Sequence, residues 1–239
     1  SQENAKTGAV YLYDRNGTAF TQSAKLTPAD SAAGDWFGAA VALGQDFLVA
    51  GAPNDLDFNG SAYVFDRDAN GTWKEKQKLT VSAVTTIEAF GYAAASSGTR
   101  LVVSATQPVS GKGAAYVFGK DANGSWTQEA MLTAADGANT DQFGASVAMD
   151  GEYVVVGAPK ADASGTDGGA AYVFKRDTNG TWSQEAKLTP SAGHSPGDEF
   201  GVSVAVSGSV ALIGAKLGDG NEADSGAAYV FRRSTAGAW

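Results

Sequence analysis

The stretch "DLDFNG" places Asp55, Asp57 and Asn59 at alternate positions ahead of Gly60. That is the opening pattern of a loop that wraps a hard cation in oxygen ligands, so these three are candidate ligands for calcium (Ca2+). Asp66 stands where such a loop places its closing carboxylate, but it follows "AYVF", which reads as a strand, and a strand cannot curl to deliver it. Equivalent stretches downstream are acidic too: Asp162 and Asp167 in one, Asp219, Asn221, Glu222 and Asp224 in another. A solvated polar loop explains the same residues. The two readings separate on whether calcium or a chelator moves the melting temperature.

A second set of acids recurs along the chain. Asp35, Glu88, Asp141 and Asp198 each precede a phenylalanine by two residues. Such acids could ring one face and draw cations or hydroxylated ligands; a carboxylate accepting backbone N–H bonds at the start of each unit explains the recurrence equally well. Trp36, in "DWF", lies outside the position where the other tryptophans repeat. An aromatic beside Asp35 is how sugar sites are built, and packing is its other account. Asp35, Trp36, Asp141 and Asp198 are therefore the candidate ligand-binding residues. Hydrolytic chemistry finds little to work with. His194 is the single histidine and belongs to no nucleophile motif. Carboxylates are abundant enough for paired-acid hydrolysis, yet they recur with the repeat, whereas an active site needs residues that break it. No phosphate-cradling glycine loop lies between a strand and a helix. The chain reads as a non-enzyme.

The totals narrow the classes further. The 239 residues are 43% hydrophobic, enough for one large domain or a repeat array with a continuous core. Glycine is plentiful at 31, proline scarce at 6 and cysteine absent, which favours short strands with tight turns and excludes disulfides and thiolate metal sites. A net charge of −9 without a basic cluster argues against nucleic-acid partners and anionic membrane surfaces. No apolar run is long enough to span a bilayer, and "SQENAKTGAV" lacks the features of a signal peptide.

The elements that must hold these residues appear when the chain is slid over itself. "AYVF"-like words centre on Tyr11, Tyr63, Tyr116, Tyr172 and Tyr229, and Phe-Gly pairs begin at Phe37, Phe90, Phe143 and Phe200. Asn-Gly followed by Thr or Ser recurs from Asn16, Asn70, Asn123 and Asn179. Independent words sharing a period of about 50 residues mark a repeat architecture. Each unit reads as four strands: "FGASVAM", the continuously apolar "EYVVVGAP", "GAAYVFKR" and "TWSQEAKLT". Asp150-Gly151 joins the first two and Asn-Gly the last two, both tight-hairpin dipeptides. The glycosylation sequons at Asn16, Asn59, Asn70, Asn123 and Asn179 mostly coincide with these turns. The fold class is all-β, a β-propeller of four-stranded antiparallel blades.

The order Phe-Gly, Gly-Ala-Pro, Tyr-Val-Phe resembles the FG-GAP repeat of integrin-type β-propellers and their bacterial extracellular relatives. Phe37-Gly38 with Gly51-Ala52-Pro53, and Phe143-Gly144 with Gly157-Ala158-Pro159, are the clearest copies. "SATQP" at 104–108 and "GAK" at 214–216 depart from it. The resemblance implies an extracellular or cell-surface protein, with relatives that bind proteins as receptors or sugars as lectins. The calcium loop of integrin-like propellers falls in the hairpin at Asp150-Gly151, which is too short here to wrap a cation.

The strand count is uneven. A partial blade over 1–27 carries two strands; units 37–80 and 90–133 and 143–189 carry four each, and 200–239 carries three. That is four to five blades' worth, in a ring that does not complete in the usual way, and unfinished edges favour association between copies. The leading reading is a binding or adhesion module for a protein or glycan ligand. A lectin and a self-assembling scaffold are the alternatives.

Overall fold

The structure is a computed structural model that describes residues 7–81, 89–106, 111–163, 165–190, 195–219 and 222–239. Its sheets follow chain order. β1 (Val10–Asn16) and β2 (Ala19–Leu26) form a half-blade. Three four-stranded blades follow: β3 (Val41–Leu43), β4 (Phe47–Ala52), β5 (Ser61–Arg67) and β6 (Trp73–Leu79); then β7 (Phe90–Ser97), β8 (Arg100–Ala105), β9 (Ala114–Lys120) and β10 (Trp126–Leu132); then β11 (Ser146–Asp150), β12 (Tyr153–Ala158), β13 (Ala170–Arg176) and β14 (Trp182–Leu188). β15 (Phe200–Ser207), β16 (Val210–Ala215) and β17 (Ala227–Arg232) make a final three-stranded blade. Every pairing within a blade is antiparallel between consecutive strands, so the chain is an all-β propeller of about 50-residue units.

The repeated words are the packing. In each blade the Phe-Gly ring meets the two aromatics of the third strand at edge-on or tilted angles. Phe37 lies 5.7 Å from Tyr63 and 6.0 Å from Phe65, and Phe200 lies 5.3 Å from Tyr229 and 6.0 Å from Phe231. Offset geometry of this kind matches the quadrupole preference of aromatic pairs. These rings face the preceding blade. The residues between them face the next: Val49 and Val64 join one cluster with Leu101, Val103, Tyr116 and Phe118, and Val155 and Val173 join another with Phe200, Ile213, Tyr229 and Phe231. The second strand therefore has both faces covered, which is why β4 is buried throughout and reads as an unbroken apolar run.

Glycine lets neighbouring blades touch through backbone. A Cβ on Gly157 would lie 1.9 Å from the carbonyl oxygen of Gly201, so the Gly-Ala-Pro of one blade presses on the Phe-Gly of the next. The departure at "SATQP" is accommodated: Ser104 replaces the glycine, and its hydroxyl accepts the Ala93 N–H at 3.0 Å.

The hairpins are closed by acids. Asp68, Asp121 and Asp177 each accept two backbone N–H groups across the Asn-Gly turn, at 2.8 to 3.0 Å. At the other hairpin, Asp150 accepts the Gly208 N–H of the next blade at 2.7 Å, while Gly151 N–H donates to Ser97 of the preceding one at 3.0 Å. The acidic punctuation there is turn and joint chemistry. The fourth strand carries a bulge in every blade that has one, and in β14 it leaves Glu185 outside the ladder, aimed at Arg233 of the next blade. No described helix is long and apolar enough to cross a membrane.

Candidate functional site

Three of the acids that stand two residues before a phenylalanine are structural. Asp35, Asp141 and Asp198 are buried, and their carboxylates accept the N–H of Ala32 (2.6 Å), Ala138 (2.8 Å) and Ser195 (2.7 Å). Each closes a turn three residues back, so these three do not ring an accessible face. Glu88 and His194 lie outside the described residues.

The calcium pattern is likewise put to another use. Asp55 points inward, where its carboxylate accepts the Tyr63 hydroxyl at 2.9 Å and pairs with Lys78 Nζ at 2.7 Å. Asp30, from the crossing loop, accepts the same hydroxyl at 2.9 Å and the same ammonium at 2.6 Å. Burial raises the Asp55 carboxyl, but the hydrogen bonds from Lys78 and Tyr63 outweigh it and hold the group below the ordinary carboxylate range. Asp57 and Asn59 are exposed and do not share this cluster. The lysine supplies a positive charge beside Asp55, and the structure does not bring Asp55, Asp57 and Asn59 together in one cluster. Among the described residues no three His, Cys, Asp or Glu side chains group as a metal site. The same bolt recurs two blades on, where Tyr172 donates to Asp136 at 3.0 Å and Lys187 pairs with it.

Trp36 is different. It is 61% exposed and has a left-handed backbone, φ 60°. The residue before the Phe-Gly word is left-handed at Ala89, Gln142 and Glu199 as well. Ala89 and Glu199 are buried there and Gln142 half-buried, so Trp36 is the exposed copy, and only this copy holds an aromatic. Trp36 lines a cleft of about 520 Å³ with Ala39, Pro53, Asn54, Ala89 and Tyr92, at the junction of two blades. Tyr92 is 48% exposed.

Sequence reasoning missed Tyr92. Its signal was present: the residue after Phe-Gly is Ala39, Ala145 or Val202 in the other blades, and only this copy is bulky. The cleft is open because its partners are small. At the corresponding junction two blades on, Lys160 stands in the place of Asn54 and Glu199 in the place of Ala89, and the two form an ion pair at 2.6 Å. Burial acts to raise the Glu199 carboxyl, but hydrogen bonds from Lys160 and Lys216 hold it low.

The loop bordering the cleft departs from the repeat as well. Within the helical turn Asp55–Phe58, Leu56 and Asp57 have left-handed angles, and Phe58 has φ 71°. Bulky residues adopt this conformation at a cost. The turn leaves Leu56 and Phe58 largely exposed, and the Phe58 carbonyl accepts the N–H of Ala89, which lines the cleft, at 3.0 Å.

A protein from Lactobacillus plantarum, known as a crystal structure, is similar with a TM-score of 0.55 and 16% sequence identity, over 98% of this chain and 66% of that one. At that identity the likeness concerns fold alone, and the present chain spans about two thirds of that protein's length. No curated protein matches. The FG-GAP repeat matches residues 20–65, 73–118, 126–174 and 182–231, each stretch running from the fourth strand of one blade through the third strand of the next. Four such matches, over most of the sequence, mean that the chain belongs to the FG-GAP repeat family.

Proposed function

We propose that the protein is a non-enzymatic recognition module, acting outside the cell or at its surface, that binds a protein partner at the Trp36–Tyr92 cleft. The observation that carries this reading is the local break in the repeat: two exposed aromatics and the exposed Leu56 and Phe58 gather where other blades have small, polar or ion-paired residues. Tryptophan and tyrosine bring large rigid contact area at low entropic cost and dominate protein-binding hot spots. Exposed apolar clusters of this kind mark interaction sites.

A sugar ligand is the second reading, favoured by flat rings beside the Asn54 amide. The test screens the protein against a displayed peptide library and a broad glycan panel, alongside Trp36→Ala and Tyr92→Ala. Selective capture of peptides by the parent, lost in both variants with an unchanged melt, supports the protein-binding reading. Selective capture of glycans with the same losses moves the function to a lectin. Capture that survives both substitutions, or none from either library, removes the cleft as the recognition site.

A further inference from the structure

The joint between the first two four-stranded blades lacks an acid that the later joints use. At the last joint, Glu185 stands at the bulge of β14, and its two carboxylate oxygens accept Arg233 Nη2 and Trp239 Nε1, each at 2.8 Å. Glu129 holds the same place in β10 and accepts Arg100 Nε at 2.9 Å. In β6 the place belongs to Lys76, which the ladder skips between Glu75 and Gln77. Lys120 stands where Arg233 does, and Trp126 where Trp239 does. The joint therefore keeps its donors and has a cation in place of their acceptor.

Among the described residues nothing fills this gap. Trp126 is 2% exposed, yet its Nε1–H has no partner. Leaving a buried donor unpaired is costly, so native interiors seldom do it. Lys76 is exposed and unpaired, whereas Lys74 and Lys78 on the same strand are held by Asp68 and by Asp30 with Asp55. Lys76 Nζ and Lys120 Cε both lie within 4 Å of the point where a Gly124 Cβ would stand, so two cationic chains share the joint. Its acids are engaged: Asp66 with Lys120 at 3.1 Å, and Asp121 with the N–H groups of Asn123 and Ser125. Trp182 Nε1 is unpartnered too, but there Glu129 is present and drawn to Arg100.

We propose that this joint binds a carboxylate from outside the chain, held between Lys76 Nζ and the Trp126 Nε1–H. The last joint supplies the template, since Glu185 gives one oxygen to a cation and the other to an indole N–H. A bond from an ammonium to a carboxylate is charge-assisted, and the flexible lysine stem lets the ligand in and closes over it. A small free carboxylate and an acidic side chain of a partner protein offer the same group. The site shares no residue with the Trp36–Tyr92 cleft, so either can fail alone.

The test follows the indole N–H signals of the isotope-labelled protein by NMR, with the Trp126 signal identified by its loss in Trp126→Phe. Sodium acetate and a short end-blocked peptide of glutamates are titrated separately, each against sodium chloride at equal ionic strength. A saturable downfield shift of the Trp126 signal is expected. A response to acetate assigns the site to small carboxylates, and a response to the peptide alone assigns it to a partner's acidic side chain. Lys76→Gln should weaken binding about tenfold or more, the worth of a hydrogen bond to a charged group. Lys76→Glu copies Glu185 into the joint, so its Trp126 signal should stand downfield without ligand and ignore both titrants. Lys76 is exposed, and a circular dichroism melt confirms that both variants fold. A Trp126 signal that neither titrant moves, or that chloride moves equally, overturns the proposal. So does a response that survives unchanged in Lys76→Gln or Lys76→Glu.

Discussion

A Cβ placed on Gly51 would stand 1.9 Å from the carbonyl oxygen of Gly91 in the next blade. The two glycines belong to different words of the repeat, and their contact explains why the words travel together. Gly51→Ala must push whole blades apart, because the obstacle is backbone. The expected loss is at least about 1–3 kcal/mol, the usual cost of overpacking a close-packed interior. Urea unfolding reads it, with Gly98→Asn as a near-neutral control, since Gly98 has φ 59° and open space around it.

Acid should loosen the crossing loops first. The Lys78 hydrogen bond holds the Asp30 carboxyl below its ordinary value of 3.8. Burial opposes the same shift at Asp55 and Asp136, but their lysine partners prevail and both lie low. Groups depressed in the folded state contribute stability that is fully present above the unfolded value and disappears as pH falls through the folded one. Urea midpoints are therefore expected to be flat above pH 5 or so and to decline below about pH 4. Asp30→Asn with Asp136→Asn should flatten that decline while lowering stability at neutral pH.

Removing Lys78 is a sharper insult. Lys78→Met leaves Asp55 buried beside Tyr63 without its ammonium, which should cost about 1.5–3 kcal/mol at neutral pH, the range for hydrogen bonds to charged groups. Chemical denaturation checks the size. The added double variant Lys78→Met, Asp55→Asn should recover part of the loss, because the stranded charge is gone.

The cleft can be closed without touching its aromatics. Asn54→Lys with Ala89→Glu copies the Lys160–Glu199 pair into the Trp36 junction. Stability should change by no more than about 1 kcal/mol, as for other partly exposed ion pairs. Binding of whatever ligand the parent selects should fall to background, measured by titration calorimetry.

Phe58 sits at φ 71° on an exposed turn. A left-handed bulky residue costs roughly 1–2 kcal/mol, and glycine avoids that while losing about half as much to chain entropy. Phe58→Gly should hold or raise the melting temperature while weakening any ligand that leans on the ring. A lowered melt would show that the ring contributes packing in the folded chain.

Much of the fold was legible because its signals are periodic. Phe90, Tyr116 and Phe118 recur at fixed offsets, and they pack on one another within a blade. The hairpins follow from Asn-Gly and Asp-Gly, and the seventeen strands among the described residues fall where the words fall. The candidate site was only half legible, since it lives where periodicity fails. Trp36 announced itself by composition, while Tyr92 needed a comparison across blades at one position. The inward turn of Asp55 depends on Lys78 and Asp30, far away in sequence, and on three left-handed residues that no spacing rule encodes. A cation pattern read along the chain could not see the lysine that neutralises it.

The offset between sequence unit and blade has a consequence for how such a chain changes length. Each unit begins at the fourth strand, at Phe20, Trp73, Trp126 or Trp182, and ends at the third strand of the following blade. The seam between units is therefore the exposed Asn-Gly hairpin, and every crossing loop between blades lies inside a unit. A copied unit inserted at that seam supplies the closing strand to the blade before it and borrows one from the unit after it. Gene duplication can thus add or remove whole blades while every glycine contact and acid latch at the joints is reproduced, with no new type of interface to invent.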